Sequence, residues 1–160
     1  MLIAPPRWSW ALSTVNKVLG VGILTPMLIS PTALAADGET LFNGSCALCH
    51  QAGGIGSPGF APPLVDKVLW DSLGARAPDY LAAIMLSGFS GTIEAAGLKY
   101  SGLVMPPQDQ LTDEQLAAIG NYVLSKLNDS REELVASTVA KLRSAPPSHA
   151  RLREMRRTGS

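Results

Sequence analysis

The sequence predicts a small all-α domain with a helical C-terminal extension, and three observations carry that reading. Apolar residues recur at helical spacing, most clearly in Leu116, Ile119, Val123, Leu124 and Leu127. Between the helical stretches lie segments too rich in glycine and proline for a regular element, Gln51 to Pro63 and Phe89 to Val104. The third observation is Cys46-Ala47-Leu48-Cys49-His50. Two thiols three positions apart on a helical turn, followed at once by a histidine, can add to the two vinyl groups of a haem while the imidazole reaches its iron. The expected architecture is therefore a set of helices wrapped around one covalently bound haem.

Two other chemistries use cysteines at this spacing. A thioredoxin-like redox pair wants a strand before it, whereas Gly38 to Ser45 has helical character. A zinc site wants four donors, and the chain holds two cysteines and two histidines, with His149 far from the motif. With 160 residues, no net charge and 46% apolar residues, the chain has room for one modest domain with appendages. A haem adds apolar surface to such a core, which accounts for the few aromatic side chains. No nucleophile stands beside a base and no phosphate-cradling loop is present, so the pattern is that of a carrier and not of an enzyme.

Residues 1–35 read as an export signal. Arg7 and Lys17 are its charges, Val18 to Ile29 is apolar, and Ala33-Leu34-Ala35 offers small residues for cleavage after Ala35. The alternative is a retained anchor, which needs about 20 uninterrupted apolar residues, and Pro26 interrupts this run. The domain proper is expected over 36–128. Its first helix begins near Asp37 and leads into Cys46, with Asp37 and Glu39 placed to suit the helix dipole. In the loop that follows, glycines allow close approach to a planar ligand, and a proline carbonyl can accept the Nδ1 proton of His50, leaving Nε2 for iron.

Leu64 to Leu73 predicts a short helix, and Pro78 to Ser87 a firmer one, with Pro78 near its start and Gly88 as its stop. The glycine-rich loop from Phe89 to Val104 then delivers Met105-Pro106-Pro107. Thr112 and Gln115 form a capping box for the helix carrying the apolar stripe, and Gly120 offers a close crossing for the first helix through Leu41 or Phe42. Residues 129–160 form the extension. Ser130 and Glu133 can cap a helix through Leu134, Val135, Val139 and Leu142, and a basic end follows Pro146-Pro147. The domain has nine acids and four bases, the extension four acids and seven bases. The contrast reads as a solvated tail, or as a docking arm for an acidic patch, with the arginine end mobile.

The chain resembles the class I cytochromes c, in particular the bacterial single-haem domains that serve quinoprotein dehydrogenases and terminal oxidases. The resemblance rests on Cys46, Cys49 and His50, Ala61-Pro62-Pro63-Leu64, Tyr80-Leu81, Leu86-Ser87-Gly88, Gly97, Tyr100, Gly102, Met105-Pro106, Leu111 to Gln115 and Asn121-Tyr122-Val123. Leu103-Val104 makes the segment before Met105 one residue fuller than the family pattern.

The resemblance implies thioethers at Cys46 and Cys49, His50 as proximal and Met105 as distal iron ligand, and Pro62, or else Pro63, as the carbonyl that His50 meets. It implies that Phe42 and Tyr122 touch where the first and last core helices cross. Tyr100 belongs to the haem pocket, and Trp70, Arg76 and Tyr100 are candidate donors to the haem carboxylates. Met85 is expected in the core. The implied role is electron transfer in the periplasm with haem c, exchanging electrons with a donor dehydrogenase and an acceptor oxidase or cytochrome, without nucleic acid or a membrane span after signal cleavage. Two alternatives stand beside it: a dedicated subunit of a dehydrogenase or oxidase complex, and a haem enzyme or gas sensor with an open sixth position.

Overall fold

The computed structural model describes residues 37–157 and, before them, Ala4 alone. The segment read as an export signal lies outside the described residues. Residues 37–157 belong to one compact unit, Ala33–Ser160.

Helix α1 (Gly38–Ser45) starts where the Asp37 carboxylate accepts the Thr40 N–H at 3.4 Å, which satisfies one of the unpaired donors of the first turn. Cys46 ends α1, and the short α2 (Ala47–His50) carries the rest of the motif. Helix α3 (Lys67–Leu73) begins three residues later than expected, because Asp66 takes the cap position and accepts the Leu69 N–H. Helix α4 (Ala77–Ser87) ends at Gly88, whose φ of 65° belongs to glycine. The capping box of α5 (Asp113–Asn121) is formed in both directions, 2.9 Å from the Thr112 N–H to Gln115 and 3.2 Å from the Gln115 N–H to Thr112. A wider helical turn, Tyr122–Lys126, continues α5, and Leu116, Ile119, Val123 and Leu124 are buried along the pair.

Helices α1 and α5 cross, and the Phe42 and Tyr122 rings meet there with centroids 5.2 Å apart. The glycine that permits the crossing is Gly38 and not Gly120. A Cβ at Gly38 would collide with the Ala118 carbonyl, whereas one at Gly120 would lie 2.5 Å from a Leu134 methyl of the extension.

The all-α expectation needs one correction. Phe89 to Val104 is not a loop but an antiparallel hairpin, β1 (Phe89–Ala95) with β2 (Leu98–Met105). Its turn is Ala96-Gly97, with φ of 47° and 75°. Both values lie in the left-handed region that a two-residue hairpin of this type requires, and asparagine or aspartate is the usual first residue. Ala96→Asn should raise stability by about 0.5 to 1 kcal/mol, read as a higher denaturant midpoint at unchanged slope. The extra residue before Met105 is absorbed by a bulge. Between the pairs Gly91–Leu103 and Ile93–Tyr100, one residue of β1 faces two of β2, and Gly102 there has φ of 76°.

The extension packs on the domain through its buried residues Leu134, Val139 and Leu152. Asn121 holds Leu134 by two bonds, its Nδ2 donating to the Leu134 carbonyl at 3.0 Å and its Oδ1 accepting the Leu134 N–H at 2.8 Å. This grip keeps Leu134 in extended chain, so α6 begins at Ala136 and runs to Ser144. Helix α6 lies against α4 and α5 and buries Val139. Arg143 pairs with Asp113 at 2.8 Å and donates to the Asp109 and Leu111 carbonyls, so part of the basic tail meets acidic surface of the same chain.

The arginine end is not a mobile arm. It forms α7 (His149–Arg157), whose N–H at Arg151 is accepted by Ser148 and which packs on α4 and β1 with Leu152 fully buried. Among the described residues no helix is long and apolar enough to cross a membrane.

Candidate haem site

Cys46, Cys49 and His50 line one cavity of about 270 Å3, together with Pro62, Tyr100 and Met105. Helix α1 delivers the motif: the Cys46 N–H bonds to the Phe42 carbonyl at 2.8 Å and the His50 N–H to the Cys46 carbonyl at 2.9 Å. These bonds wind the pentapeptide into one helical turn, which brings both thiols and the imidazole to the same wall.

His50 is 8% exposed, and its Nδ1 donates to the Pro62 carbonyl at 2.8 Å. That choice of tautomer leaves the Nε2 lone pair free. Burial pulls the imidazole below its ordinary pKa, the Pro62 carbonyl partly opposing, so the ring is neutral near pH 7 and suited to bind a metal. Gly56 makes the Pro62 contact possible. Its φ is 74°, its N–H bonds to the His50 carbonyl at 2.8 Å, and a Cβ there would stand 2.8 Å from the Pro62 carbonyl carbon. Burial, with the Cys49 thiol adding to it, pushes the Cys46 thiol up to about 11, so it is held neutral near pH 7.

Met105 ends β2 and is placed by the turn after α4. A Cβ at Gly88 would run into the Met105 carbonyl and come within 2.8 Å of the Pro107 nitrogen, while the Gln108 N–H bonds to the Met85 carbonyl at 2.7 Å. Met85 is buried in the core as expected, and it also reaches the cavity wall. Tyr100, on β2, is buried there too.

Trp70 lines the cavity. Its Nε1–H is spent on the Leu64 carbonyl at 2.9 Å, which Asn128 also uses at 2.8 Å. Arg76 donates to the Ser72 carbonyl at 3.3 Å and does not line the cavity. His149 lies outside the cavity as well, its ring bonded to the Ser90 hydroxyl at 2.7 Å and to the Ser87 carbonyl at 3.2 Å. Among the wall residues that sequence reasoning missed are Phe60 from the glycine loop, Ile93 from β1 and Arg156 from α7.

These residues fit a haem. The slot is walled largely by apolar side chains of Leu, Ile, Phe and Pro, two thiols stand one helical turn apart along it, and a tautomer-fixed imidazole and a thioether line it as well. The comparisons agree. The family model for cytochrome c matches residues 35–126. Cytochrome c-552 of Thermus thermophilus is 37% identical over 73% of this chain and 82% of its own length. Cytochrome c-555 of Chlorobaculum thiosulfatiphilum is 34% identical over 61% of this chain and 98% of its own. The fructose dehydrogenase cytochrome subunit of Gluconobacter japonicus is 34% identical over 67% of this chain, which spans 22% of that subunit. Motif, cavity and relatives lead to one conclusion: the chain belongs to the cytochrome c family, an electron carrier whose cofactor is covalently bound haem c.

Proposed function

We propose that this is a periplasmic carrier of single electrons, its haem joined through Cys46 and Cys49 and its iron held between His50 and Met105. The observation that carries the reading is the His50 to Pro62 hydrogen bond in the same cavity that Met105 lines. When bound, the haem supplies a one-electron couple, and ligation by imidazole and thioether leaves no open position while raising the potential. The chain's own work is positional. Gly56 and Pro62 fix the imidazole, Gly88 and the Gln108 bond fix the thioether segment, and the apolar walls keep water away from the charge that changes. The periplasmic location rests on the signal-like composition of residues 1–35.

The test is acid-acetone extraction of the purified protein. Wild type should keep its haem in the protein pellet, either single cysteine variant should keep it by one bond, and Cys46→Ala with Cys49→Ala together should release it. Release from wild type would overturn covalent attachment at these residues. Likeness to the cytochrome subunits of fructose dehydrogenase and of cbb3-type oxidase supports a second reading, a subunit within a larger redox complex. Stoichiometric co-purification with a dehydrogenase or oxidase would favour it over a free carrier.

A further inference from the structure

Among the described residues lining the haem cavity, Arg156 alone carries a permanent charge. It comes from the extension and not from the part that the family model matches. Its Nη2 donates to the Glu94 backbone carbonyl at 2.7 Å and its Nη1 lies 3.5 Å from the Tyr80 hydroxyl. Both partners are neutral. Three salt bridges occur among the described residues, Lys67–Asp71, Arg143–Asp113 and Arg151–Glu154, and Arg156 is in none of them.

A partly buried guanidinium beside an apolar cavity, without a carboxylate, is a cation awaiting a counter-ion, since removing charge from water is costly unless it is paired. The guanidinium fork has five N–H donors, more than these two acceptors take up. Haem brings two carboxylates. We propose that Arg156 is their counter-charge and a potential-setting residue, which makes the C-terminal extension part of the redox site. The inference rests on the haem reading above and deepens it.

The sign follows from electrostatics. Oxidation adds one positive charge to the haem, and a fixed cation beside it, or one that offsets carboxylate charge, disfavours that change and raises the potential. The experiment is spectroelectrochemical titration of the holoprotein against Arg156→Gln and Arg156→Lys, with the exposed Arg157→Gln as control. Arg156→Gln should reduce the ratio of ferrous to ferric protein at a fixed applied potential about tenfold, a downward shift of about 59 mV for one electron. Arg156→Lys should restore most of it, and Arg157→Gln should match wild type. A Gln variant with the wild-type midpoint and an intact spectrum would overturn the proposal, as would a Lys variant no better than Gln. Failure of the haem reading looks different, because wild type itself would then lack a covalently held haem.

Discussion

Met105→Ala is expected to convert the reduced protein into a form that binds carbon monoxide and to lower its potential by roughly 0.1 to 0.3 V, within the span of about 0.8 V over which axial ligands act. The thioether is a soft donor that stabilises ferrous iron; His149 is engaged with Ser90 and Ser87, and the Pro106-Pro107 segment has no side-chain donor. Met85 is the control. It shares the cavity wall but is 3% exposed within the core, so Met85→Ala should cost about 2 to 5 kcal/mol and leave ligation unchanged. Visible spectra of the two variants with and without carbon monoxide decide the matter. If Met85→Ala opens the site and Met105→Ala does not, the ligand assignment is reversed.

Leu152→Ala should also cost about 2 to 5 kcal/mol, because its side chain is fully buried against Ala83 and Phe89 and the cavity left behind cannot hold water favourably. Truncation after Ser144 removes Leu152, the Ser87 to Pro147 bond at 2.8 Å and the bonds from Arg153 and Arg156 to β1. It should destabilise at least as much as the point variant. Denaturant titration of the three holoproteins checks this, and a truncated chain with the full-length midpoint would show α7 to be dispensable. An arginine arm in solution would have acted only on association rate and would have faded with salt.

The legible parts of this molecule were those coded locally. The motif, the capping box from Thr112 to Gln115, the stop at Gly88 and the stripe from Leu116 to Leu124 each place their signal within a few neighbouring residues. Phe42 meeting Tyr122, and Pro62 as the proline that His50 meets, became legible only through the family pattern. The hairpin was hidden for a physical reason. Its turn uses Ala96 where asparagine would announce it, and its glycines, which weaken any strand signal, serve a bulge at Gly102. Helix α7 was overlooked because arginines outnumber apolar residues there. Ser148 after Pro146-Pro147, and Leu152 four positions before Arg156, were the available cues to a capped helix with one face toward the domain. The role assigned to Gly120 failed because Leu134 is held beside it by Asn121, a tertiary contact without a sequence signature.

The contribution of α7 to the cavity wall also bears on how the site is assembled. Its thiols and imidazole come from α1 and α2, while Arg156 comes from α7. The wall is therefore complete only when segments far apart in sequence have folded together, so a change that loosens the packing of α7 on α4 and β1 reaches the site without touching the attachment motif.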